Sequence, residues 1–125
     1  MIDYSTLAPA TVPLEIRNPA TGKPTGIVLN LRSMDSEPAR NVKLANSNKQ
    51  MMRRNRKLTA ADLEEGYIDL LVVLVESWEW KGDAAWRGGK KPDFKPDVVR
   101  EVVSTPWIRN QIAEVTDDEA AFFEK

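Results

Sequence analysis

Neither cysteine nor histidine occurs in the 125 residues. Their absence removes disulfides, thiolate nucleophiles, the usual structural zinc ligands and every mechanism that needs an imidazole base. Carboxylates, lysines, tyrosines and hydroxyls are what remains for catalysis, and a chain without cysteine fits a reducing compartment. Charge of one sign is also lacking: 18 basic residues stand against 19 acidic ones, a net charge of −1. Nothing global therefore draws the chain toward nucleic acid or an anionic membrane. Long apolar runs are missing as well. The most apolar stretch, "IDLLVVLV" from Ile68 to Val75, is eight residues long and contains Asp69, whereas a bilayer needs roughly 20. The opening "MIDYSTLAPATVP" has no basic n-region and no continuous apolar core, so it does not read as a signal peptide. These absences predict a soluble, intracellular protein without disulfides. No internal repeat or low-complexity segment is visible.

The composition that remains, 42% hydrophobic and 30% charged, is that of a globular domain. A chain of this length suits one domain that buries about two-thirds of its unfolded surface. The expected division is an N-terminal arm (1–11), a single domain (12–119) and a C-terminal tail (120–125).

Val12, Leu14 and Ile16 alternate with Pro13, Glu15 and Arg17, and Ile27, Leu29 and Leu31 alternate with Val28, Asn30 and Arg32. Period two predicts two strands with one buried face each. The turn-rich "NPATGKPTG" between them makes the pair a β-hairpin over 12–32. A lone hairpin is marginal in water, so its apolar face must pack on something.

Helical signals follow. Ser36 is placed to cap a helix over about 37–57, with Glu37 and Pro38 in its first turn and a thin apolar stripe of Ala39, Val42, Ala45 and Met52. Thr59 and Asp62 form a capping-box pattern that starts a second helix, about 59–80. Leu63, Tyr67, Leu70, Leu71, Leu74 and Trp78 recur along it at three- and four-residue steps, which marks it as the central core helix. Gly66 inside it costs about 1 kcal/mol against alanine, so a neighbouring element is expected to approach there. Gly82, Gly88, Gly89 and Pro92 then make a loop. Pro96 opens a helix over about 96–103, and Thr105 with Pro106 starts a last one over about 105–116. The acidic "TDDEAAFFEK" either extends that helix or frays. The expected fold is α+β: an N-terminal β-hairpin followed by three to four α-helices in a single, mainly helical domain.

Three groups of residues are candidates for chemistry. From Arg40 to Lys57 there are seven basic residues and no acidic one. Such a run suits phosphate contacts, but no aromatic residue interleaves with it for base stacking. A solvated face that balances the acidic helix after it, or a protein partner, is the preferred reading, and a head-to-tail oligomer is left open. The adjacent carboxylates Glu64–Glu65 and Asp117–Glu119 have no feature that would separate their pKa values, so they do not form an acid–base pair. "TGKPTG" lacks the spacing and the strand-to-helix setting of a phosphate loop. The chain does not read as an enzyme. The third group is "SWEWKGDAAW". On a continuing helix Trp78 follows the buried stripe, and Trp80 lies about 200° around the axis from it. Trp80 and Trp86 then stand at the helix exit, locking the loop to the core, anchoring a partner or, third in order, stacking on a nucleobase.

The "NPATGKPTGIVLNLRSMDS" hairpin, the helix ending in "VESWEWKG", the following "KPDFKPDVVREVVSTPWIRNQIAE" and the closing "AFF" together resemble a family of small proteins from the tail-gene modules of long-tailed bacteriophages and prophages, the tail assembly chaperones. The resemblance covers roughly residues 12 to 123. Its most specific parts are the turn with "MDS" after it, the "W-x-W-x-G" followed by Pro92 and Phe94, and "PWIRNQI". One departure is that Lys95 and Pro96 stand where a serine-like cap is expected after Phe94.

The resemblance implies a non-enzymatic protein that binds the tape measure protein and helps recruit the tail tube protein, with no cofactor, metal or small-molecule substrate. It places the protein in the cytoplasm of the bacterial host and not in the mature virion. In many phages a longer form arises by ribosomal frameshifting. The expected partner-binding residues are Arg40, Lys43, Arg53, Arg54, Arg56, Trp80, Trp86, Phe122 and Phe123. The alternatives are a small nucleic-acid-binding protein acting through 40–57 and a minor structural component of the tail or the head–tail junction.

Overall fold

The computed structural model describes residues 10–52, 59–118 and 122. Most of the expected arm, the end of the expected basic helix with Arg53, Arg54 and Arg56, and most of the tail with Phe123 lie outside the described residues.

The two alternating runs form β1 (Val12–Arg17) and β2 (Pro24–Leu31), paired antiparallel with Leu14 opposite Leu29 and a register shift between Glu15 and Arg17. The loop is closed by Asn18. Its side chain accepts from the Ala20 N–H at 2.8 Å, its carbonyl accepts from Gly22 and its N–H donates to Lys23, which is the local bonding that makes asparagine a turn former.

Helix α1 (Glu37–Met52) follows. The backbone carbonyl of Ser36 accepts from the Arg40 N–H at 3.0 Å, but the Ser36 hydroxyl is buried without a hydrogen-bond partner, so the expected side-chain cap is not made. Only Ala39 of this helix is buried. Helix α2 (Ala60–Leu74) starts on the expected capping box, with Thr59 and Asp62 exchanging both hydrogen bonds at 3.1 Å. Gly66 is where α1 comes close. The Asn46 side-chain amide donates to the Gly66 carbonyl at 3.1 Å, and a Cβ on Gly66 would stand 3.2 Å from that amide nitrogen.

The expected continuation of α2 to residue 80 is corrected by the structure. The helix stops at Leu74, and Val75–Trp80 forms a third strand, β3, antiparallel to β2. No glycine or proline marks this stop. It is made from outside, by the residue that ends the hairpin. The Arg32 N–H donates to the Leu74 carbonyl at 2.6 Å and its guanidinium to the Val73 carbonyl at 2.6 Å. The last carbonyls of the helix are thereby satisfied by a distant part of the chain. Val72, Val73 and Val75 favour the change, because β-branched residues pack well in a strand.

Helices α3 (Pro96–Ser104) and α4 (Pro106–Thr116) complete the fold. Neither Lys95 nor Thr105 makes a side-chain cap bond. The Thr105 hydroxyl turns back to the Glu101 carbonyl instead. The sheet order is β1-β2-β3, and one face of it, with Ile16, Ile27, Leu29 and Leu31, meets Leu71, Leu74, Val102, Val103, Ile108 and Ile112 from the helices in one buried cluster. Gln111 on α4 also reaches the edge strand. Its carboxamide accepts from the Arg17 N–H at 2.8 Å and donates to the Arg17 carbonyl at 2.9 Å, completing a backbone pair that would otherwise face open at the edge. The architecture is mixed α+β, with a hairpin first and helices after it and a third strand between α2 and α3.

Candidate functional site

Two surfaces hold the residues singled out by the sequence: the aromatic corner and the outer side of α1. In a strand, side chains two apart share a face. Trp78 and Trp80 therefore both point to the core side of the sheet, opposite Leu29 and Ile27. Their rings meet edge to face at 5.6 Å. Phe94 packs against Trp78 at 5.2 Å and Trp86 against Trp80 at 6.0 Å, both at steep interplanar angles.

The loop after β3 is tied back at several points. The Trp86 N–H donates to the Lys90 carbonyl at 2.9 Å. The Lys91 amine donates to the carbonyls of Trp80 and Gly82, and Arg87 pairs with Glu101. This corner is a structural joint. Trp80, expected at a partner surface, is only 7% exposed, and Trp78, expected in the core stripe, is half-buried. The strand period puts both rings on one face, and Trp80 is covered there by Trp78 and by Trp86 from the loop. Trp86 is half-buried against the cluster, and Phe122 is buried within it. Trp80 and Phe122 are therefore closed off, while Trp86 keeps part of its ring exposed. The indole N–H groups of Trp80 and Trp86 are buried with no hydrogen-bond partner.

Helix α1 presents the opposite picture. The expected stripe holds only at Ala39 and Val42; Ala45 and Met52 are exposed. Leu44 is 63% exposed, Met51 71% and Met52 86%. Leu44 and Met51 lie seven residues apart, about two helical turns, on the side facing away from Val42. They lie off the stripe of Ala39 and Val42, on the opposite side of the helix. A seven-residue apolar spacing away from the stripe was the available signal.

Of the seven basic residues between Arg40 and Lys57, only Arg40, Lys43 and Lys49 are among the described residues, and three carboxylates of the acidic helix beside them pair elsewhere. Glu64 of α2 pairs with Arg109 at 2.7 Å, and Asp69 and Glu65 pair with Arg100 at 2.5 and 3.6 Å. Glu64, Glu65 and Asp69 of α2 thus turn to α3 and α4, while Asp62 caps the helix start. Arg109 also lies over the Tyr67 ring at 4.8 Å. Among the described residues Arg40 and Lys49 make no ion pair, and the Lys43 amine donates to the Met34 carbonyl at 2.9 Å. Arg40, Lys43 and Lys49 are all exposed.

Grooves open on both sides of the α1–α2 contact, and Asn46 and Lys49 line both. One is edged by Leu63, Gly66 and Tyr67, the other by Val42, Val72 and Pro96. Among the described residues no acidic cluster is arranged to hold a metal ion, and no helix is long and apolar enough to cross a membrane. No protein-family model, curated protein or solved structure matches this chain. Its chemistry is therefore read from its own side chains: a closed aromatic joint, committed carboxylates, and one helix whose apolar and basic groups are left facing out.

Proposed function

We propose that this chain is a tail assembly chaperone of a long-tailed bacteriophage, a non-enzymatic protein that binds the tape measure protein and assists assembly of the tail tube. The observation that carries this reading is α1. A helix of 16 residues is held to the body by Ala39, Val42 and Asn46, while Leu44, Met51 and Met52 remain in water. Exposed methionine and leucine beside charge make an adaptable surface for another helix. The resemblance of the hairpin turn, the "W-x-W-x-G" corner and "PWIRNQI" to this family supports the same reading. In this fold those motifs close the sheet, lock the loop and seal the β1 edge, as a scaffold behind a binding helix must. The protein acts in the cytoplasm of the bacterial host and leaves before the virion is complete.

Co-expression tests this directly. The tape measure protein encoded beside this chain should move from the insoluble to the soluble fraction and elute with it on gel filtration. A tape measure protein that stays insoluble refutes the proposal. Purified virions should lack the chain by mass spectrometry, which separates a chaperone from a structural tail or head–tail component.

A further inference from the structure

Asn41, Leu44, Asn48 and Met51 are spaced three, four and three residues apart on α1, and all four are exposed. That is the a/d spacing of a helix–helix seam. On a helical projection it lies opposite Ala39, Val42 and Asn46, the residues that hold α1 to α2. Arg40 borders the seam on one side, with Lys43 beyond it, and Lys49 lies beyond the other side. No acidic residue occurs between Glu37 and Asp62.

We infer that the outer face of α1 docks an acidic amphipathic helix of its partner. The inference deepens the chaperone reading, on which only the partner's identity rests. Seam geometry calls for a helix with apolar residues at matching spacing, which bury Leu44 and Met51. Arg40 and Lys49, which make no ion pair among the described residues, call for carboxylates on that helix's flanks, since Glu64, Glu65 and Asp69 of α2 are taken by Arg100 and Arg109. Phosphates of a nucleic acid would meet the same bases but leave Leu44, Met51 and Met52 in water. A second copy of α1 would set bases against bases.

The test uses the full chain and a fluorescein-labelled synthetic helix about three heptads long, with leucine at the a and d positions and glutamate on both flanks. Its control replaces every glutamate with lysine. Anisotropy titrations at low salt should show the acidic peptide binding at least about tenfold more tightly than the basic one, and the gap should narrow as salt rises. Leu44→Glu with Met51→Glu should weaken the acidic peptide at least about tenfold, with the circular dichroism spectrum unchanged because both positions are exposed. Arg40→Glu with Lys49→Glu should reverse the preference between the two peptides.

Equal binding of both peptides, or unchanged affinity in the Leu44→Glu/Met51→Glu variant, overturns the inference. So does displacement of the acidic peptide by duplex DNA, or a dimer of the free chain that the same variant dissolves. If the peptide results fail while the tape measure protein is still solubilised, docking lies elsewhere and the chaperone reading stands. If the peptide binds while the tape measure protein stays insoluble, the docking face stands without that partner.

Discussion

Replacing Trp80 by alanine separates the strand from the helix that the sequence predicts in its place. Trp80 is 7% exposed, stacks edge to face on Trp78 and Trp86, and lies opposite Ile27 on the covered face of the sheet. Truncating a tryptophan in such a site costs about 3–5 kcal/mol, from lost transfer free energy and from the cavity left behind. Its indole N–H has no partner, so no hydrogen bond is lost, and removing that unpaired donor offsets part of the packing loss, which puts the expected cost at the lower end of the range. For a domain of this size that is a fall in melting temperature of about 10–20 °C. Trp78 is half-buried, so Trp78→Ala should cost roughly half as much. Thermal unfolding followed by circular dichroism, with urea titration for the free energies, reads both variants. A continuing helix predicts the reverse order, with Trp78 in the buried stripe and Trp80 nearly neutral. Trp80→Ala within about 3 °C of the wild type, or a larger loss from Trp78→Ala, would refute the strand and the joint built on it.

Gly26→Ala should destabilise by about 2 kcal/mol or more, because φ there is +87° and a Cβ would come 2.5 Å from the Lys81 carbonyl oxygen; urea unfolding measures it. Thr59→Ala removes half of the capping box at the start of α2 and should cost about 1 kcal/mol, whereas Ser36→Ala, whose hydroxyl bonds to nothing, should be neutral or mildly stabilising in the same assay. Phe122→Ala should cost about 3–5 kcal/mol and leave the proposed binding of a tape measure protein unchanged once the variant is folded, since that ring lies in the core.

Local signals carried much of the fold. Alternation placed β1 and β2, the Thr59–Asp62 box placed the start of α2, and the prolines at 96 and 106 placed α3 and α4 within one residue at each start. What escaped was made by distant parts of the chain. The end of α2 depends on Arg32, some 40 residues earlier in the chain, and no pattern inside "LLVVLVESWEW" announces it. That one missed stop misplaced both tryptophans, because a change from period 3.6 to period 2 regroups every side chain after it. The site was read in the same uneven way. Arg40 and Lys43 stand exposed, and so do Leu44 and Met51, whose seven-residue spacing falls off the buried stripe and so carries no core signal. The ion pairs of α2 could not be assigned from charge runs, since Arg100 and Arg109 lie on other helices.

The most direct measurement is the soluble yield of the proposed partner, a tape measure protein, when co-expressed with the wild-type chain or with the Leu44→Glu/Met51→Glu variant. The wild type should bring it into solution and co-elute with it. The variant, folded by circular dichroism, should leave it in the pellet. A tape measure protein insoluble with both chains would contradict the proposed function, and equal rescue by both would contradict the role of α1.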